Sequence, residues 1–176
     1  MDHLRRWLES GVPLSVHTSN GWYGQIERME RFKKRSIEAD NVDDSLDFSF
    51  AFFQSCYHLR EWIPTFESID KAEWSKKWKK FINNNDCIRY CRDLCNVSKH
   101  MTIDVDKASI TANVIITREY EEDESENGKF LGWTLHIDNK EMDFFKLMED
   151  CTEAWKKFIK EDLFESLEIS KYLEKE

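Results

Sequence analysis

Proline and glycine are scarce in this chain, two and five in 176 residues. Sandwiches and barrels turn tightly roughly every ten residues and draw on both for their turns. Their scarcity argues against those folds and for long helices with few turns. Long hydrophobic runs are missing too. No stretch approaches the roughly 18 apolar residues of a membrane-crossing helix. The opening MDHLRRWLESG has charges on both sides of its few apolar residues, unlike a secretory leader. Five cysteines are an odd number without a paired framework, which predicts reduced thiols and a cytoplasmic location. No GxGxxG, Walker loop, HExxH or GxSxG occurs.

Positive charge is also in short supply. The net charge of −9 opposes indiscriminate binding to nucleic acid. Residues 71–107, with nine basic against five acidic groups, are the one local basic footprint.

What the chain does have is aromatic bulk, with seven Trp and twelve Phe, enough to build a core at this length. Apolar residues at helical spacing mark a short helix around Leu4, Trp7 and Leu8. A second runs from Trp22 to about Ser36, with Ile26, Met29 and Phe32 on one face. Ser45–Ile63 carries two apolar stripes, Leu46, Phe50, Phe53 and Tyr57 beside Phe52, Cys56, Leu59 and Ile63. It reads as a buried central helix that Pro64 stops. Lys71–Phe81 turns Trp74, Trp78 and Phe81 inward, and Asn83–Asn85 ends it. Asp86–Met101 is the next helix.

The apolar period then changes from helical to two, over Ile110–Tyr120 and Phe130–Asp138. Strands are expected at about 109–120 and 129–138, joined by an acidic loop with an Asn-Gly pair. That loop lacks the Asp-x-Asp-x-Asp-Gly order of a calcium site. Asp138-x-x-Glu141 resembles a capping box for the last helix, whose inner face is expected to hold Met142, Phe145, Met148, Thr152, Trp155 and Ile159. The expected architecture is mainly α: a helical bundle with one antiparallel β-hairpin inserted before the C-terminal long helix. One domain is expected over residues 1–176, with the bundle in 1–105, the hairpin at about 109–138 and the C-terminal helix at about 141–174.

Chemistry concentrates on the Asp86–Met101 helix. Arg89, Arg92, Asp93, Asn96, Lys99 and His100 fall within about a third of its circumference. Cys87, Cys91, Cys95 and Ser98 form a small-residue stripe on the other side. Three thiols at i, i+4 and i+8 span about 12 Å of a straight helix. Zinc–sulfur bonds are about 2.3 Å, so one ion cannot take all three, and neither a metal nor another cofactor is expected. His58 lies on the apolar central helix, with Glu61 three residues on, able to orient or charge it, and Trp62 four on. Each cluster also has a plain structural reading: a solvated helix face for the first, a satisfied core histidine for the second. If the clusters meet, two imidazoles beside a Lys or Arg make an acid–base site suited to phosphodiester cleavage. They equally make a polar network that fixes helix register. His3, His17 and His136 have no ligand spacing.

Three blocks, CYHLREWI at 56–63, CRDLCNVSKHM at 91–101 and CTEAWKKFI at 151–159, together resemble a family of uncharacterised prokaryotic proteins. Those proteins carry a His-Leu-basic-acidic-Trp block, an Asn-x-x-Lys-His block, a hairpin and a late helix with a Trp. More loosely, the chain resembles the HEPN superfamily of helical domains, many of them metal-independent ribonucleases of toxin–antitoxin, CRISPR and phage-defence systems that act as dimers. Their motif is an Arg, often followed by a polar residue, with a His four to six residues beyond. Asn96 and His100 match the polar residue and the His, whereas Cys95 stands at the Arg position. Arg92 is separated from His100 by seven residues.

On the reading of the two clusters, catalytic roles are expected for His100, Asn96, Lys99, Arg92 and His58, and binding roles for Glu61, Trp62 and Arg89; of these the HEPN motif covers Asn96 and His100. The resemblance implies RNA or a nucleotide as ligand and a homodimer, while the missing apolar run leads to no expectation of a membrane partner. The other expectation is a non-catalytic helical module that binds a protein partner, which the acidic composition suits.

Overall fold

The computed structural model describes residues 21–97, 115–121, 129–137 and 140–163. The expected first helix, the acidic loop and the tail beyond Leu163 lie outside them. Among the described residues the chain is mainly helical, with an antiparallel hairpin before its last helix. In order these are α1 (Gly21–Ile37), α2 (Val42–Phe66), α3 (Lys71–Asn84), α4 (Asp86–Val97), β1 (Ile115–Glu121), β2 (Lys129–Ile137), β3 (Lys140–Asp143) and α5 (Phe144–Phe158). A π-helical turn, Ile159–Leu163, continues α5.

Local chemistry sets most of these boundaries. Asn41 caps α2 by accepting the Asp44 N–H at 2.7 Å. Asp70 caps α3 by accepting from Ala72 and Glu73 at 2.9 and 3.1 Å. Each satisfies backbone donors that the first helical turn leaves open. Asn85 closes α3 by donating its side-chain amide to the Phe81 carbonyl at 2.7 Å.

Pro64 does not stop α2, which continues to Phe66. Only one N–H is lost, and it is lost in the final turn, so little of the ladder is disrupted. The helix ends instead where Ser68 takes φ 53° and the Ile69 N–H reaches back to the Pro64 carbonyl at 3.0 Å, the long bond of a Schellman motif.

The expected capping box at Asp138-x-x-Glu141 is also replaced. Residues 140–143 form a third strand, paired antiparallel with β2 from Thr134↔Asp143 to Ile137↔Lys140. Asp143 is the cap, accepting from the Lys146 N–H at 2.6 Å. A short strand extends the sheet because open backbone groups on β2 offer more bonds than one extra helical turn. The sheet order is β1-β2-β3, with an irregularity between Glu119 and Tyr120. The start of α5 shifts with the cap. Its buried face is Phe144, Leu147, Met148, Cys151, Thr152, Trp155 and Phe158, while Phe145 is only half-buried and Met142 belongs to β3.

One hydrophobic core joins all five helices and β2. α2 runs through it, with Phe52, Phe53, Cys56, Leu59 and Ile63 fully buried. Phe53 meets Phe52 and Phe144 edge-on at ring separations of 5.3 and 5.4 Å. A second aromatic group welds α3 to α5. Phe81 lies 4.4 Å from Phe158 and 4.8 Å from Trp155, and Trp78 stacks on Trp155 at 5.9 Å. Such ring pairs add about 1 kcal/mol each beyond area burial.

Polar groups register the α1–α2 hairpin. Ser36 Oγ donates to the Ser45 carbonyl and Ser45 Oγ to the Ser36 carbonyl, both at 2.9 Å. Ser36 and Ser49 hydroxyls pair at 2.7 Å, and the Trp133 indole donates to Ser45 Oγ at 3.2 Å. This reciprocal arrangement satisfies every hydroxyl it buries and holds β2 against α2.

Candidate functional site

The α2–α4 contact puts His58 and the described members of the second cluster, Arg89, Arg92, Asp93 and Asn96, on neighbouring helices. On α2, His58 Nδ1 lies 3.1 Å from Glu61 Oε2, and Arg60 donates to the other oxygen of the same carboxylate at 3.1 Å. A carboxylate beside Nδ1 fixes the orientation of the ring. His58 is about one-third exposed, so the site is open to solvent on this side. Burial works to raise the Glu61 carboxyl, but His58 and Arg60 hold it below its ordinary value.

The Arg60 guanidinium lies over the Tyr57 ring of its own helix, 4.1 Å from the centroid. Burial raises the Tyr57 hydroxyl, while the positive charges of Arg60 and Arg92 oppose that rise. Arg92 in turn donates from Nε to Asp93 at 2.7 Å. Asp93 was expected on the polar face of α4, but it is almost wholly buried, at 1% exposure. Helix packing closes over it, and its charge is held by Arg92.

The remaining candidates divide. Asn96 is exposed near the end of the described part of α4. Lys99 and His100 lie outside the described residues. Arg89 donates to the Asn83 carbonyl at 2.9 Å and pairs with Asp86, so it is engaged at the α3–α4 junction. Trp62 is half-buried and packs against the core. The sequence reading passed over Tyr57 and Arg60. Their i, i+3 spacing on the His58 helix was the available signal. A groove of about 190 Å³ between α3 and α5, lined in part by Lys77, Lys80, Asn85 and Lys157, contains none of these residues.

A third cluster was not legible as a group. Cys56 of α2, Cys91 of α4 and Cys151 of α5 place their sulfurs within 4.8 Å of one another, all buried. Helix rise keeps three thiols of one helix from sharing an ion, but sets no such limit on three thiols from three helices. Cys91 Sγ contacts the Phe53 carbonyl and Cys151 Sγ the Cys87 carbonyl, both at 3.3 Å. Burial alone would raise the Cys56 thiol, yet Cys151, Cys91 and the Trp155 indole converge on it and bring it to about 5. Burial pushes Cys91 and Cys151 well above the ordinary thiol range.

No protein-family model, curated protein or solved structure matches this chain.

Proposed function

We propose that the α2–α4 face is a metal-independent RNA-cleaving site of the HEPN kind, in a protein of a toxin or phage-defence system that works as a homodimer. The observation that carries this reading is the partly open His58 ring, oriented by Glu61, with Arg60 on the same carboxylate. Phosphodiester cleavage without a metal needs an acid, a base and fixed positive charge, and this face supplies those residue types.

In this reading one of His58 and His100 takes the proton of the ribose 2′-OH. The 2′ oxygen attacks phosphorus, the P–O5′ bond breaks, and the other imidazole protonates the departing 5′ oxygen. Arg92 and Lys99 stabilise the phosphorane charge, and Asn96 orients a phosphate oxygen. Glu61 fixes His58, while Trp62 and Arg89 border the bound strand. The product ends are a 2′,3′-cyclic phosphate and a 5′-hydroxyl.

The test is incubation with total RNA in excess chelator, followed by end-group analysis. Cyclic-phosphate ends are expected, and loss of at least about 100-fold in rate for His100→Ala and for His58→Ala. Intact RNA after prolonged incubation, or cleavage that survives both substitutions, retires the proposal. The net charge of −9 favours a second reading, a non-catalytic helical module for a basic protein partner. Recovery of a stoichiometric basic partner on the intact protein, together with inert RNA, would select it.

A further inference from the structure

Packing accounts for a buried thiol as a small apolar group. It does not account for three sulfurs drawn together from three separate helices, since apolar contact is satisfied by any neighbour of the right size. Cys56, Cys91 and Cys151 do converge, within 4.8 Å of one another. An ion bonded to three sulfurs at about 2.3 Å in a plane would set them about 4 Å apart. The observed spacing lies within a side-chain adjustment of that value.

A second feature points the same way. The indole N–H of Trp155 is buried, with the residue 1% exposed, and has no acceptor in hydrogen-bonding geometry. Cys56 is among its neighbours. N–H to sulfur bonds are the usual support for metal-bound thiolates, and a buried donor without an acceptor beside this group is placed to make one.

Coordination number selects the ion. The three thiols are sealed from water, which leaves no solvent ligand for a fourth position. Structural zinc almost always takes four ligands, whereas soft, low-coordinate Cu(I) is satisfied by thiolates alone. Cys87 lies next to Cys151 and is only partly buried. It is the one member of the group that reaches toward the surface, and so stands where an incoming ion would be passed inward by sulfur exchange.

We propose that Cys56, Cys91 and Cys151 form a three-coordinate site for one Cu(I) ion, with the Trp155 N–H supporting the bound sulfur and Cys87 as the transfer thiol. As each copper–sulfur bond forms, the thiol proton passes to solvent, and copper keeps its oxidation state throughout.

The test is anaerobic titration of the whole reduced protein with Cu(I) against a competing Cu(I) chelator. One equivalent should bind, and X-ray absorption should count three sulfur neighbours. Cys151→Ser should weaken binding more than about 100-fold and Trp155→Phe by about 10-fold, in keeping with loss of a ligand and of its supporting donor. Cys87→Ser should leave the equilibrium unchanged and slow the uptake. The sulfur count on the unaltered protein keeps the test valid if a variant fails to fold. Absence of uptake overturns the proposal, as does a disulfide in the isolated protein or a preference for Zn(II) with four sulfurs including Cys87.

Discussion

Arg92 and Asp93 are neighbours in the chain with different fates. Arg92 keeps about a fifth of its side chain in solvent, while Asp93 is sealed beneath it with Nε 2.7 Å from the carboxylate. A carboxylate in that position is tolerated only while its charge is answered. Asp93→Ala should therefore destabilise the protein by about 3 kcal/mol, because it removes the buried carboxylate that pairs with Arg92 and leaves a gap where its side chain is sealed. Urea denaturation at neutral pH measures this directly, and a change below about 1 kcal/mol would contradict the structural role. His58→Ala should behave oppositely. His58 is partly open and bonded to an exposed Glu61, so its loss should cost under about 1 kcal/mol and be felt in activity. A helix wheel places Asp93 and Arg92 on one polar arc. It carries no information on how far a neighbouring helix will overlap that arc.

At the scale of elements, caps and ties set the stability. Asn41 and Asp143 each satisfy a backbone donor at the head of a helix. Asn41→Ala and Asp143→Ala should each cost about 1 kcal/mol in thermal or denaturant melts. If both are neutral, the caps contribute nothing that water cannot replace. Lys33 of α1 reaches Glu149 of α5 at 2.9 Å and Glu30 at 3.0 Å. Glu149 is held below its ordinary 4.5 by Lys33, so this pair adds stability above that pH and loses it as pH falls through the lower folded value. Burial works to lower Lys33, but Glu149 and Glu30 raise it above 10.5. Its share is therefore present below that pH and is lost as pH climbs through the raised value. Glu149 is half exposed, so the effect should stay under about 1 kcal/mol and shrink with salt. Glu149→Gln should flatten the acid limb of a stability-against-pH curve, and an unchanged limb would remove the pair from the account.

For the whole molecule, the central question is whether α2, α4 and α5 hold one chemistry or two. The His58–Arg92 face is partly open and polar, while the thiol group is closed and apolar, yet both use α2 and α4. The two are read out separately, by RNA ends on one side and by copper stoichiometry on the other. Self-association belongs to this scale as well. A homodimer should give a light-scattering mass near twice the 21.2 kDa of one chain, and a constant monomer mass across a wide concentration range would count against it. Far-ultraviolet circular dichroism should be dominated by helix, since the described sheet has only three short strands.

Local patterns carried α1, α3 and the β1–β2 pairing into the sequence reading, because apolar period, caps and turn residues act over a few residues. The same locality explains its errors. Pro64 looked like a stop because the bond it removes is local, whereas the end of α2 depends on the turn at Ser68 and on packing around it. The strand at 140–143 required an exposed β2 edge, which no capping pattern reveals. Site chemistry divided along the same line. His58 with Glu61 was legible because both lie one helical turn apart on one element. The burial of Asp93 and the Cys56–Cys91–Cys151 convergence were decided by how the helices rotate against one another. That rotation is set by filling a core with Phe52, Phe53, Phe144 and Trp155, a condition on the shapes of distant side chains together that no single stretch of sequence contains.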